Sequence, residues 1–217
     1  MVELSTAAWA LLLAAAFLIG IAKTALPGAA TISVAAFAAV LPARESTAAL
    51  LVLLIVGDLV AVWTYRHQAD VKALVRLIPT VAVGVVAGAA FLAFSNDVLM
   101  RRSIGVILLL LTALTLYLMR RGTLSSEHAL TNPKVRGLYG ALGGFTSMAA
   151  NAGGPVMTLY FVAARFDVLR FIATQAWFFF IINVTKLPFS IGLGLLTSIF
   201  HDGPVWGWSA PVASRLF

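Results

Sequence analysis

Two apolar segments of this sequence are each interrupted in the middle by proline and glycine. The first break is the phrase Lys23-Thr24-Ala25-Leu26-Pro27-Gly28, and the second is Asn151-Ala152-Gly153-Gly154-Pro155. Inside a bilayer the backbone amides and carbonyls must be paired, so a broken helix is tolerated only where protein buries it or where it lines a wet cavity. Two such breaks, in corresponding positions of two halves, are typical of the binding site of a membrane transporter.

The composition is that of a polytopic membrane protein. Hydrophobic residues make up 61% of the chain and charged residues 11%, and the mean hydropathy is +1.00. The net charge of +7 does not indicate a nucleic-acid partner, because the basic residues lie in short links between apolar runs. With no cysteine and only three histidines, the sequence predicts neither a metal site nor a cofactor. Since Met1-Val2-Glu3-Leu4 lacks a basic start, we expect the first apolar stretch to be retained.

The apolar stretches fall into two classes of length. At about 1.5 Å per residue, a stretch of about 20 residues crosses the hydrocarbon core, whereas the short ones reach about half to two thirds of it. The stretches 46–64, 75–94 and 98–119 are long enough to cross it. The second half adds apolar stretches at 171–196 and at 204–217, the last of which pairs with 75–94 but is short. We interpret the short stretches as halves of two re-entrant hairpins, which span 7–41 and 137–164.

A repeat organises these stretches. Displacing the chain by 125 residues superposes three pairs of residues: Gly28 on Gly153, Asp58 on Asn183 and Pro79 on Pro204. The first unit covers 1–119 and the second 137–217, with the polar link 120–136 between them. The second unit then lacks a counterpart of the last helix of the first. The predicted fold is an all-α membrane protein with an inverted repeat and two re-entrant broken-helix hairpins.

Loop charges predict the topology. If each hairpin enters and leaves on one side, the first unit crosses the membrane three times and the second unit is inverted. Ten basic residues then share one side, namely Arg66, Lys72, Arg76, Arg120, Arg121, Lys134, Arg136, Arg165, Arg170 and Arg215. The other side receives Arg44, Arg101 and Arg102. The positive-inside rule therefore predicts a plasma-membrane (inner-membrane) protein whose N-terminus is extracytoplasmic.

Three charged residues are predicted to lie inside the membrane: Lys23 at the first break, Asp58 deep in the 46–64 stretch and Lys186 in the 171–196 stretch. A lysine inside a membrane is costly, so it should face a cavity or an acidic partner. Since one carboxylate cannot neutralise two lysines, a positive charge remains to attract an anion. Lys23 has the alternative of reaching the membrane surface, which favours Lys186. Asp58 is either a coupling group or the partner in a static salt bridge.

The breaks supply neutral hydrogen-bond donors. Gly28 and Gly154 begin the returning half-helices, and a helix N-terminus suits an anionic oxygen. Alternatively, the glycines permit the turn and close helix contact. Asn151 either donates to an oxyanion or caps the following helix. Asn183 lies three residues before Lys186 on one helix face. The predicted substrate-binding residues are Lys23, Gly28, Asn151, Gly153, Gly154, Asn183 and Lys186.

The chain also resembles a known family at these residues. The phrase from Gly20 to Gly28, the phrase from Gly144 to Pro155 and the later Asn183-Val184-Thr185-Lys186 are similar to the sulfite exporter TauE/SafE family. This resemblance covers both halves. It implies an inner-membrane carrier for sulfur-containing anions such as sulfite, sulfoacetate or related sulfonates. The chain differs from the family pattern at the first break, which has Leu-Pro-Gly in place of a glycine-rich turn, and by the short second unit.

We therefore expect a transporter that moves a small anion by alternating access through a site between the hairpin tips. A passive anion channel is the alternative, and it would conduct without saturation. An enzyme is disfavoured because no paired nucleophile and base, metal motif or nucleotide loop is present in the sequence. The expected partners are the anion, the lipid bilayer and a coupling proton or sodium ion, and the chain is compatible with a homodimer.

Overall fold

The structure is a computed structural model that describes residues 5–24, 30–121 and 132–196. This part of the chain contains eight helices and no strand. In chain order the helices are α1 (Thr6–Thr24), α2 (Ala30–Val40), α3 (Ala43–Tyr65), α4 (Val71–Phe94), α5 (Asp97–Arg121), α6 (Pro133–Ala150), α7 (Gly153–Ala163) and α8 (Val168–Gly192). Gly28 and the stretch predicted at 204–217 lie outside the described residues.

Helix lengths follow the two predicted classes only in part, because α1 and α6, which are halves of the predicted hairpins, have 19 and 18 residues. Four helices are long and apolar enough to cross a membrane, with spans at Glu45–Tyr65, Val71–Phe94, Asp97–Tyr117 and Val168–Gly192. In contrast, α2 and α7 have 11 residues each and extend only about 16 Å. Large apolar side chains also cover the outer surface, as expected for contact with lipid, and Trp63 and Phe94 are 76% and 90% exposed.

Polar residues in the links determine where several helices begin. The Asn132 side chain accepts hydrogen bonds from the amides of Lys134 and Val135 at the start of α6. Asp70 and Asp167 cap α4 and α8 in the same way. The predicted link 120–136 was therefore too long, because α5 continues to Arg121 and a capped helix already begins at Pro133.

The helices form two hairpins and two further pairs with extensive contact along their lengths. α1 packs on α2, α6 packs on α7, α3 lies along α8, and α4 lies along α6. Glycines bring α4 and α6 unusually close, since a β-carbon on Gly84 would overlap the carbonyl oxygen of Ala141, and one on Gly144 would overlap that of Val81. Small residues at such an interface allow two membrane helices to approach with their backbones nearly in contact.

Substitution of Gly144 with alanine is expected to destabilise the protein by about 1–3 kcal/mol, because the added methyl group overpacks a backbone contact. Thermal unfolding in detergent measures the loss. Gly105→Ala is the control, since a β-carbon there meets no atom within 4 Å. Equal unfolding temperatures for the two variants would contradict this account of the contact.

Contacts between links define the two ends of the helix array. Asp70, before α4, forms an ion pair with Arg170 at the start of α8, and its amide donates to Thr174 Oγ1 at 2.9 Å. The links that precede α4 and α8 therefore meet at one end of the helix array. At the start of α5, Arg101 donates to the carbonyl oxygen of Leu41 at 3.1 Å, which joins α5 to the end of α2.

The ion pair between Asp70 and Arg170 is charged at neutral pH. Burial raises the pKa of the Asp70 carboxyl, but hydrogen bonds from Arg170 and from the Ala73 amide, with the positive charge of Arg170, lower that pKa overall. A depressed pKa means that the stability contributed by the carboxylate is present at neutral pH and is lost only in acid.

Candidate functional site

The second hairpin turns at residues 151–154, here called the second hairpin tip. Asn151 ends α6 in the left-handed conformation, with φ 50° and ψ 26°, which asparagine tolerates better than most residues. Its amide donates to the carbonyl oxygen of Ser147 at 3.1 Å, and the Ala152 amide donates to that of Thr146 at 3.1 Å. Asn151 thus caps the end of α6, so the alternative that it caps the following helix is wrong: Ala152 holds that position without a side-chain bond.

The Asn151 side chain joins two long helices at this tip. Its Nδ2 donates to the carbonyl oxygen of Thr47, in the second turn of α3, at 2.9 Å. Its Oδ1 accepts from Lys186 Nζ, on α8, at 2.7 Å. The nitrogen and the oxygen of this one side-chain amide therefore connect the tip to α3 and to α8 by hydrogen bonds.

Lys186 is a buried cation at the same place. Its side chain is 2% exposed, and Nζ donates to Ser147 O at 2.9 Å and to Ser147 Oγ at 3.2 Å, besides Asn151 Oδ1. These three acceptors are neutral oxygens. A hydrogen bond from the ammonium group to an anion, in which both partners are charged, would be stronger than any of them.

Asp58 and Asn183 form a second polar pair, between α3 and α8. Both are buried, with exposures of 0% and 1%, and Asn183 Nδ2 donates to Asp58 Oδ2 at 2.6 Å. The two residues are separated by 125 positions, the displacement that relates the predicted repeat units. Asn183 Oδ1 is buried and has no hydrogen-bond partner among the described residues.

The two glycines at the tip differ in their surroundings. A β-carbon on Gly153 would lie 2.9 Å from the Gly143 carbonyl oxygen and 3.0 Å from Ser147 Cβ, whereas one on Gly154 would meet no atom of the described residues within 4 Å. Neither glycine has a positive φ. Close helix contact therefore explains glycine at 153, whereas the described part of the chain leaves open space beside 154 at the start of α7.

Comparison with known proteins identifies the family of the chain. The model of the family described as "Sulfite exporter TauE/SafE" matches residues 12–211. The chain belongs to this family. No curated protein and no solved structure is significantly similar to the chain.

Membership of the TauE/SafE family makes the chain a membrane transport protein of the sulfite exporter type. Exporters of this kind are transporters and not enzymes. Among the described residues, no group of three or more histidine, aspartate or glutamate side chains could hold a metal ion.

The structure brings most of the predicted site residues together in this TauE/SafE chain. Asn151 contacts Lys186, Asn183 contacts Asp58, and Gly153 and Gly154 lie at the tip. Lys23 lies at the end of α1, but its side chain is outside the described part, as is all of Gly28.

Ser147 is the residue that sequence reasoning missed. It was weighed only as an ordinary serine of a helix interface, yet both of its oxygens accept from Lys186. Its position one turn before Asn151 was the available signal, since residues four apart share a helix face.

Proposed function

We propose that this chain is a carrier for small sulfur-containing or organic anions, such as sulfite, sulfoacetate or related sulfonates, and that the anion binds at the second hairpin tip. The observation that carries the proposal is the buried ammonium of Lys186, which donates to oxygens of Ser147 and Asn151 at the tip. Ionisable residues inside membrane segments are rare and mark substrate or ion pathways. The anion would replace one of these neutral acceptors, and a hydrogen bond between two charged groups is stronger than one to a neutral oxygen.

The start of α7 supports the same ligand. The first amides of a helix lack partners within it and carry a partial positive charge. Gly153 and Gly154 supply these amides, and the open space beside Gly154 admits a ligand oxygen. Lys186 and the N-terminus of α7 would then bind the anion from two sides, with Asn151 and Asn183 as polar walls. Lys23 and Gly28 are proposed to serve the first tip in the same way.

Alternating access is the proposed mode of transport. The Asp70–Arg170 ion pair and the bond from the Asp70 amide to Thr174 hold α4 and α8 together at the end that carries the basic links. Such contacts would close that end, so that the anion reaches the tip from the other side. A conformation that opens this end must break them. The passive channel remains the alternative function, and it requires no such closure.

Transport into proteoliposomes tests the function. Labelled sulfite and sulfoacetate should enter with saturable kinetics and compete with each other, whereas acetate should compete weakly. The assay should be run under imposed pH and sodium gradients. Non-saturating anion conductance would instead support the channel, and an absence of sulfur-anion movement would reject both.

We further propose that the protein lies in the plasma (inner) membrane with the basic links in the cytoplasm. Because the chain has no cysteine, one introduced at Ser125 is a unique label. An impermeant thiol reagent should leave Ser125→Cys unlabelled in intact cells and label it after permeabilisation. Asn96→Cys, in the link between α4 and α5, should react from outside and serves as the control. The reverse pattern would reject this orientation.

A further inference from the structure

Asn183 has a buried acceptor that receives no hydrogen bond from the described residues. Its side chain is 1% exposed, and its Nδ2 donates to Asp58 Oδ2, but its Oδ1 has no hydrogen-bond partner in the part of the chain that the structure describes. Buried amide oxygens in folded proteins are almost always paired, so an orphaned one points to a group that joins it during function. The residue beside it is the buried carboxyl group of Asp58.

We propose that Asp58 takes up one proton in each transport cycle, that Asn183 holds that proton in place, and that proton and anion are carried together. The proposal rests on the proposed function, because it names the coupling ion of the same cycle. Asn183 acts here as a positioning residue, since it works through Asp58.

The chemistry of an acid–amide pair accounts for the orphaned oxygen. The proton adds to Asp58 Oδ1, and the new O–H group donates to Asn183 Oδ1 while Nδ2 continues to donate to Oδ2. Each partner then offers one donor and one acceptor on neighbouring atoms. Without the proton the carboxylate can only accept, and the donor for Asn183 Oδ1 is lost. The O–H bond is the only bond made on loading and broken on release.

A proton fits this pair better than a sodium ion does. A bound sodium ion needs several oxygen ligands at once, whereas one orphaned acceptor beside one carboxyl group is enough to hold a proton. Within the described residues, moreover, Asp58 is part of no cluster of three acidic or histidine groups.

Nearby charges indicate how the proton and the anion would be coupled. On α8, Lys186 is buried three residues after Asn183. The helices that pack against α3 bring few other charges. α2 has no charged residue, and the charged residues of α5 lie within six positions of its ends. Glu45 lies at the start of α3 itself, and the side chain of Lys23 on α1 is outside the described part. Protonation of Asp58 removes a negative charge near Lys186 and so strengthens anion binding. By linkage, a bound anion strengthens proton binding equally.

The test uses the full chain in proteoliposomes with labelled methanesulfonate, an anion whose charge does not change near neutral pH. One proton and one monovalent anion make an electroneutral pair, so an interior more alkaline by one pH unit should drive about tenfold accumulation in the wild type, independently of membrane potential. Asp58→Asn should abolish this accumulation but retain exchange of internal for external anion. Glu45→Gln, which changes another acid on α3, should accumulate the anion like the wild type.

The pH dependence of uptake by Asn183→Leu distinguishes a positioning role for Asn183 from a purely structural one, because a structural role would leave that pH dependence unchanged. This variant should retain exchange while the pH dependence of uptake shifts, because the acceptor that holds the proton is gone. The proposal is overturned if Asp58→Asn accumulates the anion like the wild type, or if a sodium gradient and not a pH gradient drives uptake. Absence of exchange in the wild type would reject the proposed function itself, and this proposal with it.

Infrared difference spectroscopy on the wild type covers the case in which Asp58→Asn does not fold. Adding methanesulfonate at constant pH should produce the carbonyl band of a newly protonated carboxylic acid, since the anion promotes proton binding. Binding of the sulfonate without this band would overturn the proposal.

Discussion

Replacement of Lys186 with methionine is expected to abolish anion transport and to weaken anion binding by at least about thirtyfold. Methionine keeps the apolar length of the side chain but removes the ammonium group that three neutral oxygens hold at the second hairpin tip. Anion-induced thermal stabilisation measures the loss of affinity, because a ligand of the folded state raises its stability according to its concentration and Kd. Proteoliposome uptake measures the loss of transport.

Two further variants make the Lys186 result specific. Lys186→Arg should restore transport only in part, because the planar guanidinium keeps the charge but not its geometry. Lys134→Met removes an exposed lysine at the start of α6 and should leave transport unchanged. Transport by Lys186→Met at the wild-type rate would exclude the ammonium group as the anion ligand.

Leucine at Gly154 is expected to lower anion affinity at least tenfold while the unfolding temperature stays close to that of the wild type (about 1.4 kcal/mol of binding free energy per factor of ten). The side chain would fill the space beside the first amides of α7, where no atom of the described residues lies within 4 Å of the β-carbon position. Anion-induced thermal shifts and unfolding curves in detergent, recorded on one sample, give both quantities.

Gly153→Ala is the matched comparison, and it should show the opposite pattern. Its methyl group crowds the carbonyl oxygen of Gly143, so stability should fall by about 1–3 kcal/mol. The ligand-induced shift of the folded protein should change less than in Gly154→Leu. If Gly154→Leu keeps the full ligand-induced shift, the N-terminus of α7 does not contact the anion.

Much of the fold could be predicted because apolar length and Pro/Gly breaks are local signals. The stretches 46–64, 75–94 and 98–119 became α3, α4 and α5 with ends displaced by a few residues. One of the larger errors was at α6, where Asn132 and Pro133 begin the helix earlier than hydropathy indicated. A capping residue and an N-terminal proline determine this end, and neither contributes to an apolar run.

The charged and polar residues of the site could be predicted from the sequence, but their hydrogen-bond partners could not. Lys186 and Asn183 were recognisable as polar residues one turn apart in an apolar stretch. Lys186 donates to Ser147, which lies 39 residues away in the sequence. This contact depends on where α6 ends along the length of α8, and no local sequence pattern determines how the two helices are aligned. The inverted orientation of the two units and the binding roles of these residues remain predictions.

The contact between α4 and α6 limits which parts of the protein can move. At Gly84 and Gly144 the facing backbones leave no room for a single methyl group, so neither helix can slide along the other without collision. The two helices should therefore move as one rigid body that links both halves of the chain. Any relative motion of the helices must then occur at other helix interfaces. We expect the hinge of the transport cycle at the interface between α3 and α8, where Asp58 contacts Asn183.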